Sequence, residues 1–373
     1  MMAKKILRSR KFGWILFFAA AAAIVAWNPG ADSTPDPGRT EPAPGTATPA
    51  PRPSPPPTAW ARMGYPTGQE DPPDPRLPGV YQPTAAGNVE SALYGSVRTT
   101  RQGRKLLPSF HKGIDIAARS RDRRNRPLDT IHAVADGTVA YINRVAGNSS
   151  YGLYLVLLHD DPLGEVYTLY SHLASFAPGR EKGGRVSAGE VLGVMGTTAT
   201  YRIPLSRAHL HFEIGLAANS RFGNWAHSRK IRNDHGDYNG WNLMPIDPLE
   251  FFRARAENPG RDFAGHLQSI PAAFEAVVRV EKFPDFFRRY PALWAGEPVQ
   301  KGAIVIACCQ YGIPLRGRAA GDDESELLGD DPIRITSVNT EVLGRNGRRV
   351  IARKNQRWTL GSNGRNWLSL LTY

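Results

Sequence analysis

Five side chains able to hold a metal or move a proton stand between residues 111 and 211. They are His111 and Asp115 in His111-Lys-Gly-Ile-Asp115, His172, and the pair in His209-Leu-His211. The residues around the pair alternate, His209-Leu-His-Phe-Glu-Ile, so a strand is predicted. It carries His209 and His211 on one face, about 6.6 Å apart, with Leu210 and Phe212 on the other. A catalytic zinc takes three protein ligands from His, Asp or Glu and keeps a fourth position for water. Five candidates supply three ligands and leave two residues for proton handling and oxyanion stabilisation. Spacing does not say which histidine of the pair is the ligand. HxxxD or HxH alone is a weak signal; both together, in this order and among glycine and apolar neighbours of strand type, are a strong one. No HExxH occurs, so no glutamate base of that type is available. The two cysteines, Cys308 and Cys309, are adjacent. That excludes zinc-finger and CxxC spacings and reads as a pair of reduced, buried thiols.

The elements that must present these residues are short strands with glycine turns, from Val89 to Glu213. Asp136-Gly137, within Ala133–Ile142, predicts a two-residue hairpin. Leu153–His159 is an apolar strand run. Glu165–Leu173 alternates and is expected to end at His172. Val191–Gly196 is a short strand. Many short strands predict a mainly β fold with an antiparallel core. Glu213 shares the face of His209 and His211, where it can either hydrogen-bond a ligand or stand as an exposed strand carboxylate. His132 and His159 read as packing residues. The basic insert Arg119–Arg126 reads as a solvated loop, with a grip on an anionic glycan as the alternative, and Trp225–Met244 as an added loop near the site.

In order, Tyr94-Gly-Ser, His111-Lys-Gly-Ile-Asp115, Ala133-Val-Ala-Asp-Gly-Thr-Val, Tyr151-Gly, Leu169-Tyr-Ser-His172 and His209-Leu-His-Phe-Glu-Ile resemble the lysostaphin-like zinc metallopeptidases, a family of murein endopeptidases. The resemblance covers roughly residues 89–252. It implies one zinc per chain, held by His111, Asp115 and His211, with His172 and His209 as catalytic histidines. It implies hydrolysis of peptide cross-links in peptidoglycan stem peptides. The alternative is a non-catalytic relative that binds the wall and activates another hydrolase; such relatives usually lack ligands or catalytic histidines, and here all five positions are filled.

The rest of the chain fits a protein working outside the cytoplasm. Five basic residues in the n-region 1–11 precede the apolar run 12–27, which predicts a signal peptide or membrane anchor. The basic flank is expected to stay inside and the remainder to cross. Residues 28–88 are dominated by Pro, Ala, Thr, Gly and Asp and are expected to form an extended tether. The peptidase-like domain is placed at 89–253 and a small α+β region of unnamed role at 254–373. There, Ala272–Phe283 is predicted helical, and Ala303–Cys309, Arg348–Arg353 and Gln356–Leu360 are predicted strands. The net charge is +13 over 373 residues. It favours an anionic partner, but with no nucleic-acid motif present, nucleic acid is not expected to be one.

Overall fold

The computed structural model describes residues 58–68, 72, 74–102, 105–344 and 346–373. The segment 12–27, read above as a signal peptide or anchor, lies outside them. Among the described residues no helix is long and apolar enough to cross a membrane.

A hairpin, β1 (Val97–Gln102) and β2 (Lys105–Phe110), leads the chain to His111. Nine strands then form the main sheet: β3 (Ile114–Ala117), β4 (Thr130–His132), β5 (Gly137–Asn143), β6 (Leu153–Asp161), β7 (Gly164–Phe176), β8 (Arg185–Val186), β9 (Val191–Met195), β10 (His209–Ala217) and β11 (Leu243–Ile246). Every pairing in it is antiparallel, as the short alternating runs predict. β10 is central. One edge pairs with β7, and the other with β3 over His209–Phe212 and with β11 over Ile214–Ala217. All nine of its residues are buried. Leu210, Phe212 and Ile214 face a core that also takes Phe251 and Phe252, from a helix at Pro248–Glu257. Asp247 caps that helix by accepting the Leu249 N–H at 2.9 Å.

The tether expected over 28–88 is corrected for its second half. Trp60, Tyr65 and Tyr81 are at most 2% exposed and belong to the main core. The Trp60 ring packs on Phe251 and Phe263, and its indole N–H donates to Asp161 at 2.9 Å. Tyr81 bridges to Ile116, the Gln82 N–H donates to the Asp115 carbonyl, and the Ala117 N–H donates to the Val80 carbonyl. Residues 80–82 thus line the outer edge of β3. The proline-rich composition hid three isolated aromatics, whose burial outweighs the cost of ordering the chain around them.

Two further expectations are corrected in the sheet. Asp136-Gly137 does not turn a hairpin: β4 pairs with β9, while β5 pairs with β6 and β8. Glycine stands at 137 because a Cβ there would meet the Leu158 carbonyl oxygen at 2.7 Å. The tight turn lies instead between β6 and β7, where Asp161 faces Gly164. Nor does β7 end at His172. It runs on to Phe176, with His172 at φ 60° and an irregular register around it.

A second sheet follows: β12 (Phe274–Val280), β13 (Trp294–Ala295), β14 (Gly302–Cys308), β15 (Pro314–Ala319) and β16 (Ile333–Val338), in the order β13-β15-β14-β12-β16. A hairpin, β17 (Ile351–Lys354) and β18 (Arg357–Leu360), and a helix at Gly364–Leu371 close the chain. The helix expected at 272–283 is the strand β12. Phe274, Ala276, Val278 and Val280 alternate into the main core, and Val277 packs on the opposite side with Val305 and Leu328. β-branched residues at 277, 278 and 280 favour the pleated surface over the helix. The helix 248–257 crosses the boundary expected at 253. The second sheet shares the core of the first, and the described residues fall in one compact unit, 55–373. Cys308 and Cys309 are free and buried, as read from their adjacency; burial pushes both thiols up.

Candidate metal centre

The backbone brings three of the five candidates to one point. In the β3–β10 ladder His211 stands directly opposite Asp115. His111 enters from the end of β2, its N–H donating to the Ser96 carbonyl and its carbonyl accepting the Gly95 N–H. Gly113 lets this loop lie on β10, since a Cβ there would meet the Phe212 carbonyl oxygen at 2.1 Å. As a result His111 Nε2 lies 3.0 Å from Asp115 Oδ1 and 3.0 Å from His211 Nδ1, and the latter lies 2.9 Å from Asp115 Oδ1. Ligand bonds of about 2.0–2.1 Å in a tetrahedron set donor atoms roughly 3.3 Å apart. The observed triangle is within a few tenths of an ångström of that, so these three residues could hold a cation.

Tautomers support the same reading. His111 Nδ1 donates to the Leu93 carbonyl at 2.8 Å, which turns the Nε2 lone pair to the centre. Arg98 Nη2 lies 3.0 Å from that protonated Nδ1, a contact and not a hydrogen bond. The guanidinium instead serves Asp115 Oδ2 at 2.6 Å and the Ser91 carbonyl at 2.5 Å. His211 Nε2 donates to Glu213 Oε1 at 3.0 Å, which turns Nδ1 inward. Glu213 is fully buried and also accepts the hydroxyls of Tyr151 at 2.6 Å and Tyr167 at 2.9 Å. A carboxylate behind a ligand histidine fixes its tautomer and raises its basicity, the role read for Glu213 from alternation.

The field at the centre is negative. Burial pushes the Asp115 carboxyl up, but the charges and hydrogen bonds of His111, His209 and His211 outweigh it and hold it well below its ordinary value. Burial also pulls His211 down, yet Asp115 and Glu213 on either side hold it at about 9. The environment that keeps a proton on this imidazole favours a cation between the three ligand atoms.

The other two candidates stand beside the triangle. The His172 and His209 rings lie 4.7 Å apart, edge to face, and His172 lies 6.1 Å from the His211 ring. Each donates Nδ1–H to a carbonyl at 2.8 Å: His172 to Thr198, His209 to Arg207. Nε2 of each is left as the reactive nitrogen. Burial, then neighbouring positive charge, lowers His172 well below its usual value; burial lowers His209 despite Asp115. Both are therefore neutral near pH 7 and able to accept a proton. The left-handed backbone at His172, uncommon for a non-glycine residue, turns the strand here, and its N–H donates to the Tyr151 carbonyl. At Gly152 a Cβ would meet the Thr198 carbonyl oxygen at 2.0 Å, so the glycine after Tyr151 leaves room for the group that orients His172.

All five residues line one cleft of about 1670 Å³. The segment 225–244 contributes Trp225, His235 and Trp241 to its wall, so its expected place near the site holds, but it is not all loop: it begins in a helix at Phe222–Ser228 and ends in β11. His159 and His132 lie apart and are structural. His159 bridges the Asp136 carbonyl and Thr168, and His132 bridges Thr130 and the Gly189 carbonyl. In the basic insert Asp122 pairs with Arg126 at 2.6 Å, on the exposed surface. Sequence reading missed Arg98. It is one of 47 Lys and Arg, in a hairpin without a motif, and only the fold brings it to Asp115.

Residues 109–222, which hold all five candidates, match the model of Peptidase family M23. This segment belongs to peptidase family M23. The lysostaphin-like resemblance read from the motifs is borne out. M23 structures similar to the chain include the catalytic domain of the antimicrobial peptidase lysostaphin from Staphylococcus simulans. It is 18% identical, with 43% of this chain and 89% of that one covered, at a TM-score of 0.28. A zinc-containing peptidase from Vibrio cholerae is 20% identical, at a TM-score of 0.25. There 46% of this chain is covered but only 39% of that one, so the chain spans well under half of that protein's length. A SpoIIIAH–SpoIIQ complex is 20% identical over 51% of this chain and 99% of that one, at a TM-score of 0.30. No curated protein matches the chain. The M23 assignment rests on the family match and on the residues it encloses.

Proposed function

We propose that the chain is a zinc-dependent endopeptidase that hydrolyses peptide cross-links of peptidoglycan on the outer side of the cytoplasmic membrane. One observation carries the reading: His111, Asp115 and His211 converge within 3.0 Å, and His172 and His209 line the same open cleft. His111 Nε2, Asp115 Oδ1 and His211 Nδ1 are the ligand atoms. A bound zinc supplies a water acidified to a pKa near 7 and polarisation of the scissile carbonyl. Arg98 and Glu213 hold Asp115 and His211 in place. His172 and His209, with Nδ1 anchored on carbonyls, use Nε2 to take the attacking water's proton and, once protonated there, to pass it to the leaving amine or donate to the developing oxyanion. The positive n-region and the apolar run after it support export, either as a cleaved or as an anchored protein.

Purified chain is incubated with peptidoglycan sacculi, with and without a chelator, and the new termini are identified. The expected result is new amino termini at cross-links, abolished by chelation and restored by zinc. Tight binding to sacculi with no new termini, by a chain holding its zinc, would instead support the non-catalytic wall-binding reading.

A further inference from the structure

The region after 254 forms part of the wall of the metal cleft: Gln310, Tyr311, Asn346, Arg348, Asn366 and Trp367 line it. Their position follows from packing. Tyr311 sits edge-on to Tyr94 at 4.8 Å, in the segment that leads to His111. The 346–348 loop presses on the same segment, since a Cβ at Gly347 would lie 2.9 Å from Val97 and 3.3 Å from the Gly95 carbonyl oxygen. The loop is also tied from behind. Asn363 Nδ2 donates to the Arg348 carbonyl at 2.6 Å, and Asn346 Nδ2 donates to the Ile351 carbonyl at 2.8 Å.

One side chain of this loop lacks a partner that its chemistry calls for. Arg348 is half-buried, and a guanidinium carries five N–H donors. One reaches the Tyr311 carbonyl at 2.9 Å. Among the described residues no carboxylate forms an ion pair with it. Glu213, whose charge it feels, is already engaged by His211, Tyr151 and Tyr167. The nearby Lys112 is another cation, donating to the Gly240 and Leu243 carbonyls. Over the whole cleft lining six Lys and Arg face four Asp and Glu. A half-buried charge without a counter-ion is costly, and an anionic ligand in the cleft can supply the counter-ion.

We propose that Arg348 binds a carboxylate of the substrate peptide in this cleft. The C-terminal region is then a substrate-binding wall that selects acidic stem peptides. The proposal rests on the peptidase reading of the metal centre. A guanidinium is suited to the task, since it grips a carboxylate through two parallel N–H bonds.

The test uses the full chain and two soluble, uncross-linked muropeptides, one with free peptide carboxylates and one with those carboxylates amidated. Kd is measured for wild type, Arg348→Gln and Arg348→Lys. Wild type should prefer the free form by about tenfold or more, the size of one charge-assisted hydrogen-bonded pair. Arg348→Gln should bring the two forms to within about twofold, and Arg348→Lys, which keeps the charge without the fork, should lie between. A wild type that binds neither form or shows no preference, or an Arg348→Gln chain that keeps the wild-type preference, overturns the proposal. Digestion of sacculi by the same preparations separates the two claims. Cleavage with an unchanged preference in Arg348→Gln sinks the Arg348 assignment alone. The expected loss of preference in a chain whose wild type cleaves nothing sinks the peptidase reading alone.

Discussion

At the scale of single residues, Glu213 shows how much of a metal centre lies behind its ligands. It touches only one ligand, His211, at 3.0 Å, and two tyrosines hold its carboxylate in place. Replacing it by Gln keeps the shape but removes the charge that fixes His211 with Nδ1 inward. Second-layer partners of this kind usually account for 10–100-fold in metal affinity. Glu213→Gln should therefore weaken zinc binding by roughly that factor in a chelator competition, with the fold retained by circular dichroism. Wild-type affinity in this variant would show that His211 is oriented by the strand alone. Alternation along the strand placed Glu213 correctly, because period two is a strong local rule. Arg98 was not legible, because its hold on Asp115 depends on where a distant hairpin packs.

At the scale of elements, the ligands sit where backbone geometry leaves little freedom: Asp115 opposite His211 in a ladder, and His111 on a loop that only glycine at 113 allows. The motifs were legible because metal chemistry demands few residue types at short spacing. The element types around them were less so. Ala272–Phe283 carries apolar residues at both helical and strand periods, and neighbouring strands decided for the sheet. Asp136-Gly137 looked like a turn, but its glycine answers a close approach across the sheet. Residues 58–82 looked unstructured by composition, yet they back β3. Trp60 is the anchor of that segment, with Phe251, Phe263 and Asp161 around it. Trp60→Ala should lower stability by about 3–5 kcal/mol, as for other large-to-small changes in a core. Denaturant unfolding of chains beginning at residue 58 measures it. A loss under about 1 kcal/mol would mean that the segment is docked only weakly, and the tether reading would be restored.

At the scale of the whole molecule, a mainly β segment that matches the M23 family model and an α+β region share one core and one cleft, so the region after 254 is part of the site's wall. That shared cleft could not be read from the sequence, since Arg348 and Asn346 lie more than 130 residues from His211 in a stretch with no motif of its own. The basic balance of +13 suits an anionic, immobile polymer, but the proposed chemistry resides in five side chains. Two of them, His209 and His211, lie on one strand face with different assigned roles, and this separates binding from catalysis most directly. The decisive measurement is zinc per chain alongside the rate of cross-link cleavage, in wild type, His211→Ala and His209→Ala. The account predicts one zinc per wild-type chain, loss of both metal and activity in His211→Ala, and retained zinc in His209→Ala with a rate reduced by about 10²–10⁴-fold. An empty site in His209→Ala with zinc retained in His211→Ala would reverse the assignment, and normal cleavage by both variants would contradict the mechanism.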